Sequence, residues 1–110
     1  MNFLSTLTDS GLVVNKFINA NSWSSCLAYC EGTGFEINSI SSLSSNVNVV
    51  LNNPASENCF TVLFISKETN ASSNYFVFDT NFESLQTWLN TQTDKTVVSI
   101  QTNKKSYVTV

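Results

Sequence analysis

A chain of 110 residues that is 42% hydrophobic has enough apolar material for one core, while only 12% of it is charged, about half the usual share. It has no His and no Arg, and its cations are Lys16, Lys67, Lys95, Lys104 and Lys105 within a net charge of −3. That composition argues against His-based acid–base chemistry, His-rich metal sites, bidentate phosphate recognition and a basic nucleic-acid surface.

The elements follow in order. Met1, Phe3 and Leu7 alternate with polar residues, which predicts a strand over Met1–Leu7. Asp9-Ser10-Gly11 signals a turn, and Leu12–Ala20 is a β-branched second strand completing a hairpin. Asn21-Ser22 then supplies N-cap residue types. Trp23, Cys26, Leu27 and Cys30 recur at helical spacing, so a helix is expected from about residue 22 to 31, with Gly32 and Gly34 as C-cap candidates. On this pattern Trp23 belongs to the core. Glu36–Ser41 reads as a third strand. Ser41–Ser45 turns, and Val47, Val49 and Leu51 alternate along a fourth.

Asn52-Asn53-Pro54-Ala55-Ser56-Glu57 contains the only proline and disfavours regular structure on its N-terminal side. Beyond it the pattern restarts. Cys59–Ser66 is a strand, Lys67–Asn74 a polar turn and Tyr75–Asp79 a strand. Asn81–Asn90 is a second helix, with Thr80 and Glu83 spaced as a capping box. Thr96–Gln101 and Lys105–Val110 are expected to close a final hairpin around Thr102-Asn103-Lys104.

The order is strand-strand-helix-strand-strand, twice. Phe3 and Leu7 match Phe60 and Phe64, and Phe17 matches Phe76. Trp23, Ser25, Cys26, Tyr29 and Cys30 match Phe82, Ser84, Leu85, Trp88 and Leu89, and Ser39-Ile40 matches Ser99-Ile100. The expected fold is α+β: two internally duplicated units of antiparallel sheet, each packed by one helix. The units are 1–53 and 58–110, joined by a 54–57 linker into one compact domain. Strands Cys59–Ser66 and Tyr75–Asp79 are apolar on both faces, whereas Ser5, Thr6, Thr8, Asn38, Ser39 and Ser41 are polar. The first half is therefore expected to be a thin lid that leaves apolar surface for another chain.

No residue set carries recognisable chemistry. Cys26 and Cys30 lie one helical turn apart, but an i, i+4 disulfide in a regular helix would be strained and no third ligand accompanies them. Their matches are Leu85 and Leu89, so both are assigned to core packing. The hydroxyls lack a partner base, and Glu31, Glu36, Asp79, Glu83 and Asp94 form no recognisable pair. No catalytic, cofactor or metal residue is assigned, and the chain is read as a non-enzyme. Tyr29 and Trp88, at matching positions on the rim of the helical stripes, are candidate interface anchors, as are Tyr107 and Val108 on the last strand. Met1–Ser5 lacks a basic n-region, no segment approaches a membrane span, and the three cysteines are expected to be reduced thiols. Asn70-Ala71-Ser72, a glycosylation sequon, is read as chance.

The run Asn21-Ser22-Trp23-Ser24-Ser25-Cys26-Leu27-Ala28-Tyr29-Cys30-Glu31-Gly32-Thr33-Gly34 resembles short virion structural proteins of tailed phages that infect marine bacteria, cyanobacteria in particular. The final Lys104-Lys105-Ser106-Tyr107-Val108-Thr109-Val110 strand has a similar look. The resemblance implies a capsid decoration or a head-to-tail or tail accessory subunit, made in the host cytoplasm and built into the virion as an oligomer. Its partners would be other virion proteins or copies of itself, with no nucleic acid and no membrane. The alternative is a small phage protein that binds and inhibits a host protein.

Overall fold

The computed structural model describes residues 1–52, 59–66, 74–79, 82–91 and 95–110, and the side chains of all of these except 52, 59–60, 65–66 and 74–79. Several expectations lie outside those residues: the 54–57 linker with Pro54, the turn after Ser66, the sequon, Thr80, Asp94, and the two-faced apolar character of Tyr75–Asp79.

The fold is α+β, and the described residues form two helices and two four-stranded sheets. Strand β1 (Asn2–Asp9) pairs antiparallel with β2 (Leu12–Asn19) through a tight turn at Ser10 and Gly11. Both turn residues have positive φ, 51° and 83°, which is why a glycine follows the serine there. Helix α1 (Trp23–Gly32) starts where the Ser22 hydroxyl accepts the Ser25 N–H at 3.2 Å. It ends where Gly34, at φ +75°, donates its N–H to the Glu31 carbonyl at 3.2 Å, a left-handed position that suits glycine. Strand β3 (Glu36–Ser42) then returns beside β1.

Strand β4 (Asn48–Asn52) leaves this sheet and pairs in parallel with β7 (Lys95–Asn103). Strands β5 (Cys59–Ser66) and β6 (Asn74–Asp79) form a hairpin, helix α2 spans Phe82–Thr91, and β7 returns beside β5. A single 3₁₀ turn, Lys104–Ser106, carries the chain back to the first sheet. There β8 (Tyr107–Thr109) pairs in parallel with β2. The sheet orders are β3-β1-β2-β8 and β4-β7-β5-β6.

Two expectations about strand pairing are corrected. The sheets are mixed rather than antiparallel, because β4 and β8 each join the other half's sheet in a parallel pairing. The expected final hairpin is absent: Lys104 and Lys105 lie in the 3₁₀ turn that crosses between sheets. The physical reason is burial. On crossing, Val47 just before β4 and Val49 within it pack against the core between the sheets, and Tyr107 packs there too; a local hairpin would forgo those contacts.

Two clusters form the core. In one, Cys26 and Cys30 of α1 pack on Phe3, Leu7, Ile18 and Ala20, with Ile37 and Ile40 at the margin. In the other, Leu4 and Phe17, from the opposite face of the first sheet, join Val62 and Ile100 of the second sheet with Phe82 and Leu85 of α2. The first sheet is thus apolar on both faces. The first half is no thin lid, and of the polar residues that suggested one Ser5 and Thr6 are buried while Asn38 is exposed. Ser5 is fully buried and donates to the Lys16 carbonyl at 2.9 Å. Thr6 is buried and its hydroxyl accepts the Glu83 N–H at 3.1 Å.

Candidate protein-interaction edges

Strand edges present unpaired backbone donors and acceptors, so they are where this fold can meet another chain. The edge strands are β3 and β8 in one sheet and β4 and β6 in the other.

The β8 edge is built from its anchor outward. The Asn103 side chain accepts the Lys105 N–H at 2.8 Å and shapes the 3₁₀ turn. Tyr107 then stacks its ring on Phe17, centroids 5.9 Å apart and planes at 28°. Val108 sits opposite Ile18, and the Val110 N–H closes on the Asn19 carbonyl at 2.9 Å. Alternation places Tyr107 on the inter-sheet side and Val108 on the α1 side, both half-buried.

The four expected interface residues do not converge. Trp88 is half-buried in the inter-sheet cluster and meets the Phe64 ring edge-on at 6.0 Å. Tyr29 is half-buried against the α1 cluster, on the other side of the first sheet. Trp23, expected in the core, is instead 48% exposed and meets that cluster edge-on at Phe3, ring centroids 5.9 Å apart at 64°. As the first residue of α1, it projects at the start of the helix where the buried stripe has barely begun.

The β4 edge went unnoticed in the pattern reading. Val50 and Leu51 are 42% and 40% exposed on it, large apolar groups on successive positions. The signal was available: no charged residue occurs between Glu36 and Glu57.

Where the chain crosses from β3 to β4, a cleft of about 320 Å³ opens beside α2 and the start of β7. Leu43, Val47, Leu89 and Val97 give it apolar walls, and Gln86 and Asn90 a polar rim. Its described lining contains no carboxylate and no thiol, and Lys95 adds one cation to its neutral hydrogen-bonding groups.

The thiols of Cys26 and Cys30 are fully buried. Burial pushes Cys26 up to about 11, reinforced by its neighbour Cys30. Burial raises Cys30 as well, with hydrogen bonds to Cys26 and Ser5 pulling the other way. At neutral pH Cys26 therefore stays protonated and unsuited to nucleophilic attack or metal ligation. Among the described residues no three His, Cys, Asp or Glu side chains gather as a metal site, and no helix is long and apolar enough to cross a membrane. No protein-family model, curated protein or solved structure matches this chain.

Proposed function

We propose that the chain is a non-enzymatic assembly protein of a tailed phage virion, a capsid decoration or head-to-tail or tail accessory subunit that acts through protein–protein contacts. The observation that carries this reading is the exchange of β4 and β8 between the two sheets. Each exchanged strand ends up as an edge of the sheet it joins, so the device that locks the two halves together also forms surfaces offered to neighbours. Both edge strands, Asn48–Asn52 and Tyr107–Thr109, are uncharged, and extending a sheet across subunits meets little repulsion there. A small block with its core tied across both halves suits a subunit repeated in many copies. The phage setting comes from the resemblance of the Asn21–Gly34 run.

The same reading includes an internally duplicated unit, supported by the strand registers. Orders β3-β1-β2 and β7-β5-β6 correspond. The β1–β3 register shifts between Thr6 and Leu7, and the β5–β7 register shifts between Leu63 and Phe64, which are matched positions in the two halves. Bulges are retained features rather than defects, so matching ones favour common descent. The alignment needs one adjustment. Phe17 faces Leu4, and at the matched place Val77 faces Thr61, so Phe17 corresponds to Val77 rather than Phe76.

The test is reconstitution. Particles assembled without the protein should take up purified chain saturably, and Val108→Lys should weaken uptake while leaving the fold intact. Particles that take up none, alongside capture of one stoichiometric host protein, would overturn the reading in favour of a host-binding inhibitor.

A further inference from the structure

We propose that β4 is a self-recognition strand, which pairs antiparallel with β4 of a second copy across a two-fold axis at Val50. Four observations meet there. First, β4 lies at the edge of its sheet, with β7 on one side and, among the described residues, no strand on the other. Second, the edge carries none of the usual protection. Its pairing with β7 runs through five residues without a register shift, and it holds no Lys, Pro or carboxylate. The other edges of described side chains differ: β3 begins at Glu36 and has a shifted register, and β8 has three residues and follows Lys104 and Lys105. Bulges, charges and shortness are how edges are kept from pairing.

Third, Val50 and Leu51 remain 42% and 40% exposed while Val49 packs into the inter-sheet core. Fourth, the sequence Asn48-Val49-Val50-Leu51-Asn52 reads nearly the same in both directions. A two-fold antiparallel pair centred on Val50 sets Asn48 against Asn52 of the second copy, Val49 against Leu51, and Val50 against itself. Every opposed pair is then like with like, which stabilises a two-stranded contact. An antiparallel pairing shifted by two residues would lose this, because it brings Asn48 or Asn52 opposite Val50 of the second copy.

The occupant is therefore a second copy of this chain, because only a self-complementary strand meets itself across a two-fold axis. The two sheets fuse into one of eight strands, Leu51 of each copy covers Val49 of the other, and the closed symmetry stops growth at a dimer. The inference rests on reading the protein as one that acts through contacts with other chains, and adds which edge is used and by whom.

Cross-linking tests it, since opposed residues in an antiparallel pair lie within disulfide reach, their Cα atoms about 4.5–5.5 Å apart. The wild-type chain serves as the control for the native thiols. Val50→Cys should give a disulfide dimer under mild oxidation, and an equimolar mixture of Asn48→Cys and Asn52→Cys chains should do the same. Neither of the latter should cross-link alone. In parallel, light scattering of concentrated wild-type protein should approach twice 12.1 kDa, and Val50→Lys should return the value to that of one chain with unchanged circular dichroism. No dimer from Val50→Cys, or equal cross-linking by all three single variants, would overturn the β4 pairing. That result leaves the assembly reading intact, because uptake by particles is measured separately.

Discussion

The side-chain oxygen of Asn15, in the middle of β2, accepts the backbone N–H of Phe82 at the start of α2 at 3.0 Å, across 67 residues of chain. Thr6 on β1 takes the next N–H, from Glu83. The orphan donors of a helix N-terminus are usually met by a residue just before the helix; here two strands of the other half meet them. This cap ties α2 to the first sheet, while its Phe82 ring packs edge-on against Phe17 at 5.8 Å. Asn15→Ala should cost about 1–2 kcal/mol, in the range of a lost N-cap, and Thr6→Val should cost about 1 kcal/mol by removing the acceptor of a partly buried N–H. Urea unfolding checks both, and a loss below about 0.3 kcal/mol in each would remove the cap from the account.

The exchanged strand β8 is anchored by the Tyr107 ring in addition to its backbone pairing with β2. Tyr107→Ala removes its stacking on Phe17 and should destabilise by about 2–4 kcal/mol. Amide exchange should accelerate at Tyr107–Val110 before it does in β1. Val108→Lys, at a half-buried edge position, should cost about 1 kcal/mol or less.

The two tryptophans should separate spectroscopically. Trp23 is 48% exposed, whereas Trp88 is half-buried against Phe64. A Trp88→Phe variant should emit at longer wavelength and be quenched readily by acrylamide, and a Trp23→Phe variant should show the reverse. Trp23→Ala should cost about 1 kcal/mol and Trp88→Ala about 3 kcal/mol. Equal quenching of the two would place Trp23 in the core after all.

Cys26 gives a stability slope at alkaline pH. Below about pH 9 the thiol is protonated in both the folded and unfolded chain, so it contributes no pH dependence. Between about 9 and about 11 the unfolded chain releases the proton and the folded chain keeps it. Stability therefore falls as pH rises through that window. Cys26→Ala should flatten this part of the fall, at a cost of about 1–2 kcal/mol in packing at pH 7. Parallel curves for wild type and variant between pH 8 and 10.5 would contradict the buried, protonated thiol.

Local elements were legible because their signals are local. Cys59–Ser66 is a strand to the residue, and the Ser22 cap and Gly34 stop frame α1 as their residue types require. Long-range partnership left no such mark. Nothing in the alternation of Val47, Val49 and Leu51 tells which sheet they join, and the choice is decided by the cluster around Val62 and Ile100. Thr6 and Asn15 look like solvent-facing strand residues, and their role as caps depends on a helix far along the chain. Trp23 followed the helical period but lies at the helix's first residue, where period and burial part. Val108 was expected on the last strand, and only the topology shows that this strand and β4, with Val50, are sheet edges.

The central claim, that this is a many-copy structural subunit, is tested most directly by quantitative mass spectrometry of purified particles of the phage proposed to encode the chain. The account predicts the protein in the particle at tens of copies or more, in fixed ratio to a major structural protein and retained through a density gradient. Its absence from particles while abundant in infected cells would contradict the account.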